Sequence, residues 1–84
     1  MKLLKLETNS CPKCKELGER LDRMGVSYEV VNLDENPELG AKYPTMTVPI
    51  LTIIDDEGNE IIPASERARS MEHEKIAALI ERTQ

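Results

Sequence analysis

Aromatic side chains are almost absent from this 84-residue chain, which has no Phe, no Trp and only two Tyr. Proteins that bind single-stranded nucleic acid stack the bases on aromatic side chains, and two tyrosines are too few for such a surface. Basic residues are also in the minority, because 16 acidic residues outnumber 11 Lys and Arg and leave a net charge of −5. A phosphate-binding surface needs clustered basic residues, so we expect no nucleic-acid partner.

Long apolar runs and cysteines are scarce as well. No stretch approaches the roughly 18 apolar residues of a membrane span, and the apolar N-terminal run is short and broken by Lys5 and Glu7, unlike a signal peptide. The only cysteines are Cys11 and Cys14, whereas a secreted disulfide scaffold carries more of them at wider spacing. We therefore expect one domain over residues 1–84, in the reducing cytoplasm and not at a membrane.

The chain does contain alternating apolar strands and amphipathic helices. Strands are expected at Leu3–Leu6, Tyr28–Leu33, Val48–Ile54 and Glu60–Ile62, and helices from Cys11-Pro12 to a left-handed cap at Gly25, over Pro37–Tyr43 and over Met71–Arg82. The first strand–helix–strand unit predicts two parallel strands with a right-handed crossover. A turn at Asp55–Asn59 predicts an antiparallel hairpin. The order β-α-β-α-β-β-α thus predicts one mixed sheet with helices packed on it.

The sequence Cys11-Pro12-Lys13-Cys14 is the strongest chemical signal. It follows a strand and opens a helix, with Pro12 where a missing N–H costs nothing. The free N–H groups and positive end of the helix favour a thiolate at Cys11, and Lys13 and Lys15 add positive charge. We expect these effects to lower the Cys11 pKa below its free value of about 8.5. Cys11 would then attack a target disulfide, and Cys14, about one turn further on, would resolve the mixed disulfide.

Two other interpretations of the cysteine pair remain. A C-x-x-C pair is half of a zinc site, but His73 is the only other soft ligand in the chain, so a metal or cluster would have to be held between two copies. The cysteines could also be buried and inert, although a helix start beside the polar Thr8-Asn9-Ser10 segment is a poor place for that. The alternative to an enzyme is therefore a non-catalytic C-x-x-C binding module.

Proline is unusual at the start of an apolar strand, where it removes a hydrogen-bond donor, and Thr47-Val48-Pro49 opens the most apolar strand here. Base rates alone predict a trans bond before Pro49. Together with Cys11-Pro12-Lys13-Cys14, this motif resembles the thioredoxin-like superfamily, in the small glutaredoxin type. The resemblance implies a minimal thioredoxin fold, with a four-stranded mixed sheet and helices on both faces. It also implies that Pro49 is cis and lies against the dithiol, and that the Thr47-Val48-Pro49 segment binds the substrate, with Val48 pairing to it through its backbone.

Features of two branches of the superfamily are mixed in this chain. Lys13 stands where glutaredoxins usually have an aromatic residue, and Pro63–Arg67 lacks the Gly-Gly-x-Asp-like stretch that holds glutathione's carboxylate. Ser10 stands where thioredoxins have Trp, and their extra N-terminal strand and helix are missing. The chain resembles the small redoxins that reduce ribonucleotide reductase. The resemblance thus implies a monomeric thiol–disulfide oxidoreductase with no bound cofactor, a reversible Cys11–Cys14 disulfide, ribonucleotide reductase as a candidate target, and glutathione or a thioredoxin reductase as electron donor.

The remaining conspicuous polar residues carry weaker expectations. Tyr43 is expected to pack a helix end rather than to flank a substrate groove, and His73 to have a structural or surface role. Arg67 and Arg69 are expected on a solvated face rather than in an anion site. The Asp55-Asp56-Glu57 run has too few ligand positions for a calcium loop and predicts a hairpin tip. Thioredoxins usually have a buried acid below the dithiol, in the N-terminal region that this chain lacks, so the resemblance assigns no such residue here.

Overall fold

Four strands and three helices alternate along the chain in the computed structural model, which describes all 84 residues. They are β1 (Lys2–Glu7), α1 (Pro12–Arg23), β2 (Tyr28–Asn32), α2 (Leu39–Lys42), β3 (Ile50–Ile54), β4 (Ala68–Arg69) and α3 (His73–Thr83). The strands form one sheet in the order β2-β1-β3-β4. β1 is parallel to β2 and antiparallel to β3, and β3 is antiparallel to β4. The predicted order of elements and the mixed four-stranded sheet are confirmed.

Both faces of the sheet are covered by helices, as the fold predicts. On one face, Leu3, Leu51 and Ile53 pack with residues of α1 and α3. On the other, a smaller cluster forms around Leu4 and Leu6, with Leu39 of α2 packed against it. Alternate residues of a strand point to opposite faces, so one apolar run in β1 supplies both cores.

Helix α1 begins and ends where the sequence predicts. Cys11 is its N-cap residue and Pro12 its first residue. Leu17 and Leu21, one turn apart, are buried against the sheet. Gly25 follows the helix with φ of +70°, a left-handed conformation that glycine adopts without the steric cost of a side chain. These signals fix the orientation of the first turn of α1, which carries both cysteines.

The predicted fourth strand at Glu60–Ile62 is wrong. Glu60 forms an isolated bridge with Ile54, and the Ile61 N–H donates to the Ile53 carbonyl, but no strand continues from there. Pro63 cannot donate to a ladder, and the chain turns through a 3-10 helix at Ala64–Glu66. The strand that pairs with β3 is Ala68–Arg69, whose residues lie opposite Leu51 and Ile50. The sequence gives this strand only a weak signal, because it has two residues among charged neighbours.

Three other elements differ in extent from their predictions. α2 covers Leu39–Lys42 rather than Pro37–Tyr43, since the residues before it form single turns with hydrogen bonds from Leu39 to Asn36 and from Gly40 to Pro37. β3 begins at Ile50 rather than Val48, since Pro49 has no N–H to donate to a strand ladder. α3 covers His73–Thr83 rather than Met71–Arg82. None of the helices has the length and apolar character needed to cross a membrane.

Candidate active site

The two cysteines lie at the N-terminus of α1 and form a disulfide, with their Cα atoms 5.2 Å apart. Cys11 has extended backbone as the N-cap, and its Sγ accepts a hydrogen bond from the Cys14 N–H at 3.1 Å. Its carbonyl accepts from the N–H groups of Cys14 and Lys15. The Cys11 sulfur therefore receives a backbone donor of the helix end, which is the contact that stabilises a negative sulfur at this position.

The two sulfur-bearing residues differ in exposure. Cys11 is partly exposed, whereas Cys14 is buried at 2% exposure. Pro12 and Lys13 between them are both exposed. An incoming substrate can thus reach Cys11 directly, while Cys14 faces the protein.

The Val48–Pro49 peptide bond is cis, which confirms the conformation implied by the family resemblance. Pro49 is buried and Val48 half-buried. The loop before them is braced by Thr45, whose hydroxyl donates to the Thr47 carbonyl and accepts from the Thr47 N–H. Neither the N–H nor the carbonyl of Val48 takes part in a backbone hydrogen bond. Both groups of Val48 are therefore available to another strand.

A cavity of about 400 Å³ connects this loop to the cysteine motif. Its lining residues are Lys13, Thr47, Val48, Pro49, Arg69, Ser70, Met71 and Glu72. Met71 is 70% exposed, and the nearby Met46 is fully exposed. The structure thus brings Lys13 together with all three predicted substrate-binding residues. It adds Arg69, which we expected on a solvated face, and Ser70, Met71 and Glu72, which no sequence motif singles out.

Arg67 is not on a solvated face, and that expectation is wrong for this residue. Its side chain is 9% exposed and makes a bidentate ion pair with Glu60, both N–O distances being 2.7 Å. It also donates to the Pro44 carbonyl at 2.7 Å, at the entry to the loop of Val48. Burial raises the pKa of Glu60, but hydrogen bonds from Arg67 and Thr52 outweigh it and the net pKa is lowered. Arg69, by contrast, is exposed as expected.

A second cavity, of about 310 Å³, is lined by both cysteines and by an ion pair between a buried lysine, Lys5, and the half-buried Glu7. Lys5 is 5% exposed, and its Nζ lies 2.8 Å from Glu7 Oε1 and 3.2 Å from the Cys14 carbonyl oxygen. No buried acid could be assigned from the sequence, and the buried charge here is a lysine instead. The sequence does indicate this position of Lys5, because alternate residues of a strand point to opposite faces and Lys5 therefore lies on the same face as Leu3, toward α1.

The other singled-out residues lie away from the dithiol. Tyr43 is buried in the core on the α2 face and donates to the Gly58 carbonyl, as expected for a packing residue. His73 is exposed at the start of α3, where its Nδ1 contacts Arg20 of α1. Asp55 accepts hydrogen bonds from the Glu57 and Asn59 N–H groups and closes the predicted hairpin tip. The structure has no group of three or more His, Cys, Asp or Glu side chains that could hold a metal ion.

The sheet order, the C-x-x-C motif at the start of α1 and the cis-proline before β3 define the thioredoxin fold. Solved thioredoxins are similar to this chain. Thioredoxin 1 of Thermosipho africanus is 29% identical, with a TM-score of 0.69 covering 98% of this chain and 92% of that one. The thioredoxin of Fasciola hepatica is 23% identical with a TM-score of 0.74, over 98% of this chain and 79% of that one, and supports the fold alone.

Sequence comparison places the chain more narrowly. The glutaredoxin family model matches residues 1–58. A thioredoxin-like protein of Bacillus subtilis, the SPbeta prophage-derived YosR, is 33% identical over 61 residues, which is 73% of this chain and 76% of that protein. The chain therefore belongs to the glutaredoxin family, within the thioredoxin-like superfamily.

Proposed function

We propose that this protein is a thiol–disulfide oxidoreductase of the cytoplasm that reduces disulfide bonds in protein substrates. The observation that carries the proposal is the unequal placement of the two sulfurs. Cys11 is accessible and receives the Cys14 N–H at the helix N-terminus, while Cys14 is buried one turn further on. This arrangement suits Cys11 as the attacking thiolate and Cys14 as the resolving thiol.

The reaction consists of two thiol–disulfide exchanges. The Cys11 thiolate attacks one sulfur of the target disulfide, which forms a mixed disulfide and releases the other target sulfur as a thiolate. Cys14, after losing its proton, attacks Cys11 Sγ, and the second target sulfur leaves. Two electrons have then passed from the dithiol to the target, and the protein holds the Cys11–Cys14 disulfide seen in the structure. An external reductant must restore the dithiol.

Substrate binding is proposed at the loop of Thr47, Val48 and Pro49. The unpaired N–H and carbonyl of Val48 are suited to accept an extended segment of the target by strand addition. Lys13 stands at the wall of the same cavity, where its charge favours a thiolate at Cys11 and an acidic neighbour in the target. The exposed side chains of Met46 and Met71 offer adaptable apolar contact. Ribonucleotide reductase remains a candidate target through the family resemblance.

The mechanism is tested by trapping the intermediate. Reduced Cys14→Ser is expected to form a stable mixed disulfide with a protein substrate such as insulin, because the resolving sulfur is gone. Cys11→Ser is expected to form none, since the buried Cys14 cannot reach the substrate. The double variant Cys11→Ser/Cys14→Ser controls for non-covalent association, and mass spectrometry under non-reducing conditions identifies the adducts. Equal trapping by the two single variants would contradict the assigned roles.

The electron donor is proposed to be a thioredoxin reductase rather than glutathione. The stretch Pro63–Arg67 lacks the Gly-Gly-x-Asp-like sequence that holds glutathione's carboxylate in glutaredoxins, and the guanidinium of Arg67 is already bound to Glu60. We expect NADPH consumption with a bacterial thioredoxin reductase and little with glutathione plus glutathione reductase. The reverse pattern would identify a glutathione-dependent enzyme.

A further inference from the structure

Lys5 is buried beneath the dithiol and takes no part in the two thiol–disulfide exchanges of the proposed reaction. Lys5 lies in the middle of β1 with its side chain only 6% exposed. Its Nζ donates to the carbonyl oxygen of Cys14 at 3.2 Å and lies 2.8 Å from a carboxylate oxygen of Glu7. A charged group is rarely buried unless it is paired, and this one is paired at the turn of helix that holds the resolving cysteine.

The surroundings of Lys5 are shaped to accept the ammonium group. Gly18 lies in α1 directly opposite, and a Cβ atom there would stand 2.7 Å from Lys5 Nζ. Glycine is unfavourable in a helix interior, so its presence at this position is explained by the space that the ammonium needs. The ring of Tyr28 lies 5.7 Å from the same nitrogen, a distance at which a cation is attracted to an aromatic face.

A cavity joins this cation to both sulfurs. Lys5 and Glu7 line the same 310 Å³ space as Cys11 and Cys14. The other charged or titratable groups that face it are Lys15, Glu19 and Asp22 from α1 and Tyr28 from β2. Asp22 accepts a hydrogen bond from the Tyr28 hydroxyl at 2.9 Å. Of the lining cations, Lys5 is the buried one, since Lys15 is exposed to solvent.

We propose that Lys5 is a positioning residue for the resolving step, because its ammonium favours the thiolate form of Cys14. This inference rests on the proposed function. Cys14 is 2% exposed, and burial disfavours the charged form of a thiol, whereas a nearby cation favours it. When Cys14 ionises, its proton leaves to solvent through the cavity. The thiolate attacks Cys11 Sγ, the Cys11–target bond breaks, and the target sulfur departs with the electron pair.

Glu7 provides the matched comparison. It holds the Lys5 ammonium in place and partly cancels its field, so the two side chains act on Cys14 with opposite sign. Lys5→Met keeps a side chain of similar length without the charge. Glu7→Gln keeps the hydrogen-bonding shape and removes the negative charge. If the pair merely anchored α1 to β1, both variants would weaken that anchor and neither would change the ionisation of Cys14.

The experiment follows the reaction of the reduced protein with 5,5′-dithiobis(2-nitrobenzoate) by stopped-flow absorbance between pH 5 and 10. Attack by Cys11 releases the first thionitrobenzoate at a rate proportional to reagent concentration. Resolution by Cys14 releases the second at a rate independent of it. For Lys5→Met we expect the midpoint of the second phase to rise by about one pH unit, and its rate at pH 7 to fall roughly tenfold. The first phase should change less, and Glu7→Gln should move the second midpoint downward.

The possible outcomes distinguish failure of the proposed oxidoreductase function from failure of the proposed role of Lys5. A wild-type protein without a concentration-independent second phase would remove the proposed function and this inference with it. A wild type that resolves normally, with Lys5→Met showing the same profile, would overturn the role of Lys5 alone, as would an upward shift in Glu7→Gln. Circular dichroism of the reduced variants establishes that each is folded. If Lys5→Met does not fold, Glu7→Gln decides, because an unchanged or raised midpoint contradicts the proposal.

Discussion

Arg67 shows how a single residue can join the fold to the site. Its guanidinium is bound by both carboxylate oxygens of Glu60 and donates to the Pro44 carbonyl. Glu60 also accepts from the hydroxyl of Thr52, a fully buried residue in the middle of β3. The network thereby ties the loop before Val48 to the sheet. Its members are paired on all sides, which is the condition under which buried charges are tolerated.

Removing one partner of this ion pair is expected to be costly. Arg67→Met should lower the free energy of unfolding by about 3 kcal/mol, because Glu60 is left as an uncompensated buried charge. Arg82→Met is the matched control, since its ion pair with Glu66 is exposed, at 46% and 51%; exposed pairs contribute about 0–1 kcal/mol. Urea unfolding of the two variants measures both effects. Equal losses would show that burial of the Arg67 pair is unimportant.

The same pair predicts a dependence of stability on pH. The pKa of Glu60 is lowered in the folded protein from its ordinary value of 4.5, so the unfolded state binds the proton more readily. The stabilisation is therefore complete above that ordinary value and is lost as pH falls through the lowered folded pKa. Urea unfolding of wild type and Glu60→Gln between pH 3 and 7 should give a difference in stability that shrinks toward low pH. A constant difference would contradict the assignment.

At the scale of elements, the positions of the helix ends decide where the chemistry lies. α1 begins at Pro12, which leaves Cys11 as the N-cap, and its sulfur accepts from the Cys14 N–H, which the Cys11 carbonyl shares. At the other end, Gly25 reverses the chain with φ of +70° and meets no atom within 4 Å of a Cβ built there. The chain then enters β2, which pairs in parallel with β1. The two ends of α1 are therefore determined by the conformation of nearby residues in the chain rather than by packing against other elements.

Two glycines allow the effect of backbone conformation on stability to be measured apart from the effect of the space around the residue. Gly25→Ala should destabilise the protein by about 1–2 kcal/mol, because an L-residue is strained in the left-handed conformation. Gly40→Ala is the control, since it also meets nothing within 4 Å but lies in α2. There alanine should be neutral or stabilising by up to about 1 kcal/mol. Thermal unfolding of the two variants gives the comparison, and a similar loss in both would contradict the conformational explanation.

The whole molecule depends on a sheet buried on both faces. Every residue of β3 is buried, because this strand lies between β1 and β4 with helices above and below. A domain of this size has little stability to lose, typically about 5–15 kcal/mol in total. The core beneath α1 also supports the turn that carries the cysteines. Core packing and the reactivity of the dithiol are thus linked.

Truncating a side chain in the core that α1 and α3 share should lower the stability of the whole domain. Leu51→Ala removes a fully buried side chain from the cluster beneath α1 and α3 and should cost about 2–5 kcal/mol. Ile61→Ala, at a position that is 42% exposed, should cost less than about 1 kcal/mol. Urea unfolding of the reduced proteins measures both. A loss for Ile61→Ala as large as that for Leu51→Ala would contradict the assigned core.

Much of this architecture could be predicted because its signals are local. Hydrophobic periodicity, Pro12 and Gly25 determine α1, and the short crossover predicts that β1 and β2 are parallel. The partner of β3 could not be predicted in this way. Glu60–Ile62 and Ala68–Arg69 both follow the turn after β3, and each contributes a buried residue to the core, Ile62 and Ala68, so an apolar pattern does not tell which of them pairs with β3. Two segments distant from β1 can compete to pair with β3, and a local sequence pattern does not predict which of them pairs.

The same division holds for the site. The dithiol, its place at a helix start and the proline that precedes β3 could all be predicted, because each depends on neighbours along the chain. Three other features depend on how the chain folds: Arg67 is buried against Glu60, Lys13 shares a cavity with Val48, and Lys5 lies under Cys14. The sign of a charged side chain can be read from the sequence, but its burial and its ion-pair partner depend on which distant segments pack against it.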